Sequence, residues 1–136
     1  MPLYNPAFVA SADINPSRFV KISGEFSVAQ CSASTDSIIG ISQEGSYAPP
    51  GGAEIYGATP TYVAAPSGKT LKVFGPGDVT VVESSAAITA GAKLTAASDG
   101  RAVTAATGDS FGAIALESCT GAGFKIRVLV NLGQLN

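Results

Sequence analysis

Histidine and tryptophan are absent from the 136 residues, and cysteine occurs only twice. Without histidine the usual general base near neutral pH is missing, and so is the base of a Ser-His or Cys-His pair. Nucleophilic catalysis would have to run through Lys or Asp instead. Cys31 and Cys119 stand far apart, with no further Cys and no His to complete a metal site. They are either buried free thiols or a disulfide. Charge is scarce as well, at 13% of residues against a typical value of about 25%. The eight basic residues are scattered and the net charge is −2, so the basic patch that phosphate neutralisation demands is missing. No run approaches the roughly 18 apolar residues of a membrane span. The opening MPLYNPAFVASADINP lacks the basic and apolar regions of a signal peptide. These absences predict a protein made and kept in a cytoplasm, with no nucleic-acid partner, no membrane and no cofactor.

What is present is small and apolar. Hydrophobic residues make up 46% of the chain, and the stretch TAGAKLTAASDGRAVTAATGDSFGAIAL (89–116) is built almost entirely of Ala, Thr and Gly. Such residues give thin side-chain layers and leave the fold dependent on backbone pairing. A charge-poor surface is served either by a polar Ser/Thr/Asn coat or by neighbouring subunits that cover it, since interface cores are depleted in charge.

The C-terminal segment from Phe124 to Val130 alternates. Phe124, Ile126, Val128 and Val130 share one face and Lys125 and Arg127 the other, the pattern of a half-buried strand. Upstream, Asp99-Gly100 predicts a two-residue turn with positive φ at both positions, joining AKLTAA to AVTAA as a hairpin. Gly108-Asp109 turns the chain into FGAIALE, and TGAG (120–123) turns it into the last strand. The middle repeats the scheme, with TPTYVAA, a Pro66-Ser67-Gly68 turn, TLKVFG, a Pro76-Gly77-Asp78 turn, and VTVVES. The fold class expected is mainly β, a single small barrel-like or sandwich-like domain over residues 19–136. A helix over ESSAAITAGAKL has alanine propensity in its favour, but Thr89 and Gly91 weaken it. The segment YAPPGGAEIYGATPTY (47–62) is too rich in Pro and Gly for a regular element and reads as a loop.

Residues 1–18 contain Pro2, Pro6 and Pro16 without sustained alternation, which predicts an extended N-terminal arm. Proline keeps such an arm extended and removes amide donors. Its Tyr4, Phe8, Val9, Ile14 and Arg18 are the candidate contact residues. Asp36–Glu44 laid over Asp109–Glu117 aligns Asp, Ser, Ile and Glu. That is either an internal duplication or the ordinary likeness of two Gly-interrupted apolar strands. Asp36 and Asp109 themselves are expected to cap turns.

Ser67-Gly68-Lys69-Thr70 ends like a phosphate-binding loop, yet Val63 occupies the place where that loop needs its first glycine. A hairpin turn is the better reading. Ten acidic residues could supply a glycosidase pair, but nothing marks two of them as partners and no tryptophan lines a sugar cleft. No enzymatic activity is expected.

The order VTVVES, AAITAGAKLTAASDGRAV, FGAIALE, a glycine-bearing turn and IRVLV resembles the small capsid cement, or head decoration, proteins of tailed bacteriophages. The resemblance covers residues 79 to about 132, with FVK and SIIGIS (19–42) similar to the first half of such proteins. Ala92 departs from it, standing where an acidic or polar residue is frequent. The resemblance implies a β domain that forms homotrimers on the outer surface of the virion capsid, binds the major capsid protein and braces neighbouring capsomers. In that setting Tyr4, Phe8, Val9, Ile14 and Arg18 become the capsid-contact residues of the arm. The other reading is a tail, fibre or adhesin module that recognises a host carbohydrate or receptor, with Tyr47, Tyr56 and Tyr62 as its grouped aromatics.

Overall fold

The computed structural model describes residues 8–43 and 67–134. Eleven strands run in chain order: β1 Phe8–Ala10, β2 Phe19–Gly24, β3 Ser27–Gln30, β4 Ile38–Ser42, β5 Thr70–Leu71, β6 Val73–Phe74, β7 Val79–Glu83, β8 Lys93–Ala96, β9 Ala102–Thr104, β10 Ser110–Ala115 and β11 Lys125–Gln134. Every regular element among the described residues is a strand. The 84–93 segment is not helical: Ser84 and Ile88 make isolated bridges to Ala102 and Cys119 instead.

Two sheets stack as a sandwich-like domain, not a closed barrel. The first has the order β5-β1-β3-β2-β4-β6 and the second β7-β11-β10-β8-β9. Both are strongly curled. β5 and β6 lie at opposite edges of the first sheet, yet only Lys72 separates them in sequence. In the second sheet the Ser84–Ala102 bridge ties the ends of the two edge strands, β7 and β9.

Curling creates two cores. Ala10, Ile14, Val20, Val28, Leu71 and Val73 fill the concave side of the first sheet. Phe19, Cys31, Ile38 and Ile41 face the other way, onto Val82, Leu94, Ala113, Ile126, Val128 and Val130 of the second. Neighbours Phe19 and Val20 thus enter different cores, as the period-2 geometry of a strand dictates. Small side chains let the layers close. A Cβ on Gly112 would meet Ile38 Cγ2 at 2.6 Å and Phe19 Cε1 at 2.9 Å, so β10 and β4, the two segments that resemble each other in sequence, stack at a residue without a side chain.

β11 has the expected alternation. Ile126, Val128 and Val130 are buried, and Lys125 and Arg127 exposed; Phe124 precedes the strand and is half exposed. The β8–β9 hairpin forms too, with Leu94↔Thr104 and Ala96↔Ala102 in register. Its turn differs from expectation. Ala97 N–H donates to Arg101 O at 2.7 Å and Gly100 N–H to Ala97 O at 3.0 Å, so Ser98, Asp99 and Gly100 form the tip. Among them only Gly100 has positive φ, at 80°. This is the three-residue solution, one left-handed glycine after a right-handed turn, and it leaves Asp99 unstrained.

Three aspartates close turns in the same way. Asp36, Asp78 and Asp109 each donate their own N–H to the carbonyl three residues back, and each carboxylate accepts that residue's N–H, at 3.1, 3.0 and 2.9 Å from Ala33, Gly75 and Ala106. Both cysteines are free thiols, Cys31 buried and Cys119 half-buried. In the Ser67–Thr70 turn, Ser67 N–H is taken by Asp13 Oδ1 and Gly68 N–H by Ala10 O, so these amides are not turned toward a phosphate.

Candidate interaction surface

The residues expected on the arm do not form one surface. Tyr4 lies outside the described residues. Phe8 and Val9 belong to β1, which is sandwiched between β3, in parallel, and β5. Phe8 packs on the core of the first sheet, Ile14 is fully buried in it, and only Val9 keeps a substantial outward face. From Phe8 onward the segment is woven into the domain.

Arg18 sits at the seam between the sheets. Its Nη1 donates to Asp99 O at 2.8 Å and its Nη2 lies 3.6 Å from Glu83 Oε2. Arg101 reaches the same Glu83 oxygen at 3.5 Å and Asp99 Oδ2 at 2.7 Å. Gln30 Nε2 also donates to Asp99 O, at 2.6 Å. Ser17, with φ 56°, accepts Glu83 N–H at its carbonyl. The hairpin tip is therefore clamped onto the first sheet by a neutral hydrogen bond from Gln30 and a charge-assisted one from Arg18, a kind roughly twice as strong. Burial works to raise the Asp99 carboxyl, but the Arg101 amide and guanidinium outweigh it and hold it below its ordinary 3.8. This cluster is internally compensated, two guanidiniums against two carboxylates, and it holds the two sheets together.

Apolar side chains are exposed on both sheets. On the second sheet, Val79, Leu129, Ile114 and Lys93 form one cross-strand row in register. Val79 is exposed, Leu129 and Ile114 half-buried, and Leu116 is exposed beside them. Arg127 pairs with Glu117 at 3.1 Å at the border. On the first sheet Val9, Ile22 and Phe26 are exposed, the last to 63%, with Val9 and Ile22 on opposite faces because Ile22 and Ala10 both pair with Val28. Val9 N–H donates to Phe26 O at 2.8 Å, so the start of β1 lies against the β2–β3 hairpin tip. Sequence reasoning missed Phe26; the available signal was a phenylalanine next to Gly24-Glu25 between two alternating runs, a place where a turn is expected.

Among the described residues no group of three or more His, Cys, Asp or Glu is placed to hold a metal ion. Tyr47, Tyr56 and Tyr62 lie outside the described residues.

A solved structure has the same architecture. The chain is similar to the head fiber gp8.5 N base in bacteriophage phi29, with a TM-score of 0.61 over 98% of both chains and 14% sequence identity. At that identity the likeness establishes the fold. No family model matches the sequence, and no curated protein matches it. Coverage of nearly the whole of both chains means that the two-sheet arrangement, and not an isolated hairpin or meander, is what is held in common.

Proposed function

We propose that this chain is a structural protein of a bacteriophage head, a decoration protein that binds the outer surface of the capsid as a homotrimer and braces neighbouring capsomers. The observation that carries the reading is the full-length fold likeness to a phage head fiber base. The head-decoration pattern of the sequence from residue 79 onward points to the same setting by a separate route. The surface is compatible with it: few charges, exposed apolar side chains on both sheets, and a charge cluster used internally. No reaction is assigned to the chain, and its partner is the major capsid protein.

A second reading is favoured by the same neighbour, that the domain is the base of a head fibre. In that reading it plants a projecting structure on the shell instead of cementing capsomers.

The test mixes the purified chain with heads assembled without it, measures occupancy by co-sedimentation and images the particles. Bound trimers at symmetry-related sites, with heads that resist heat or osmotic shock better than bare ones, are expected for a cement role. Equal head stability with and without the chain favours the fibre base. Absence of binding at micromolar concentration removes both.

A further inference from the structure

The tip of the β2–β3 hairpin breaks a conformational rule. Gly24 pairs with Ser27, so the turn is made by Glu25-Phe26, and Phe26 has φ 52°. Hairpin turns give a left-handed position of this kind to Gly or Asn; for a bulky residue it is a true outlier. A glycine stands two places earlier, at Gly24, where φ is not in the left-handed region. The strained position is thus occupied by an aromatic side chain that gains no burial in return, since Phe26 is the most exposed large hydrophobic residue described, at 63%. Strain that persists without local compensation marks ligand clamps and contact sites.

We propose that Phe26 is the anchor by which the chain docks on the capsid shell, entering an apolar pocket with a cationic rim on the shell subunit. This rests on the function proposed above. The tip is convex, so the matching surface is concave. Val9, bonded through its backbone to Phe26, is an exposed apolar neighbour of the anchor, whereas Ile22 pairs with Val28 and points to the opposite face of the sheet. A single aromatic side chain that becomes buried only on contact can dominate the energy of an interface. The charge next to it is Glu25, exposed and without an ion-pair partner among the described residues, whereas the nearby Lys21 is engaged by Asp36 at 3.2 Å. That carboxylate also argues against a second copy as occupant of the tip, because a two-fold contact between tips would set two Glu25 side chains against each other.

The test uses Phe26→Asn and Glu25→Lys in the full chain, with undecorated heads as the probe. Asn accepts left-handed backbone, so Phe26→Asn is expected to melt at the same temperature as the parent or above it. Its half-saturation concentration on heads is expected to rise at least about tenfold. Glu25→Lys is expected to weaken binding and reduce its sensitivity to salt. Phe26→Asn that binds heads like the parent overturns the proposal while leaving the proposed function standing. A parent chain that binds no heads removes both. A lowered melting temperature in Phe26→Asn shows a folding role and overturns the proposal, as does loss of self-association with head binding retained, which assigns the tip to a sister copy.

Discussion

Replacing Gly100 by alanine probes the seam between the two sheets. Two costs combine there. The φ of 80° lies in the left-handed region, where a Cβ costs about 1–2 kcal/mol. That Cβ would also meet Gln30 Cγ at 2.7 Å, Cys31 O at 3.2 Å and Arg18 Cβ at 3.3 Å. Gln30 and Arg18 are both bonded to Asp99 O and cannot withdraw without giving up those bonds. Overpacking of this kind adds about 1–3 kcal/mol. The sum is about 2–5 kcal/mol, or roughly 6–20 °C in Tm for a domain of this size. Gly108→Ala is the control: its φ is 93°, but nothing lies within 4 Å of the added Cβ, so it should lose only the left-handed penalty of about 1–2 kcal/mol. Urea denaturation of both variants reads the difference. Equal losses would refute the account of the seam, because they would mean that the tip does not press on the first sheet.

Ile14→Ala should cost about 2–5 kcal/mol by denaturant unfolding, since Ile14 is fully buried in the core of the first sheet. For the same reason deletion of residues 1–14, which removes β1 and Ile14, should unfold the domain. Burial works to raise the Asp36 carboxyl, but the amides of Ser32 and Ala33 and the Lys21 ammonium overcome it and hold it below its ordinary 3.8. Its contribution is therefore present above pH 3.8 and is lost as the pH falls below that; Asp36→Ala should lose about 1–3 kcal/mol at pH 7 and show a flatter acid limb in stability measured from pH 7 to 2. Burial first, and then Asp36, push the Cys31 thiol from 9.0 up to about 12, with Lys21 opposing. At pH 8 a thiol reagent should label Cys119 in the native protein and Cys31 only after denaturation, and stability should decline between pH 9 and 12 in a manner abolished by Cys31→Ala; comparable native labelling of Cys31 would contradict its burial.

The second half of the molecule was largely legible because its signals are local. Alternation from Ile126 to Val130 and the turn glycines at 100, 108 and 123 report φ and face within a few residues. The Asp99-Gly100 turn was placed correctly but given one residue too few, since an Asp-Gly pair suits both the two-residue and the three-residue hairpin. What chooses between them is the tip's contact with Gln30 and Arg18, which are far away in sequence. TLKVFG read as one strand. It is a continuous segment, but it lies along two opposite sheet edges with Lys72 between them, and no periodicity encodes curvature.

The arm shows the same limit in reverse. Of the segment expected to be an extended arm, residues 8–10 form the short strand β1, while residues 11–18 run through bends and a turn. Prolines and sparse alternation do not say whether an extended segment lies on its own domain or on another. That is decided by register with Ser27–Val28 and Thr70–Leu71, and by a cavity of the size of Ile14 that exists only once the first sheet has curled. Apolar residues of an arm are thus ambiguous between core and contact until the sheet edge beside them is known. Phe26 is the converse case: the sequence around it points to a turn, and only its φ and exposure mark it as a side chain its own fold does not bury. If burial in a local core explains Ile14 and Phe8, contact residues of the domain must be sought among side chains that gain nothing from their own fold. By that criterion the β2–β3 tip, and not the middle of the arm, is where attachment should be looked for.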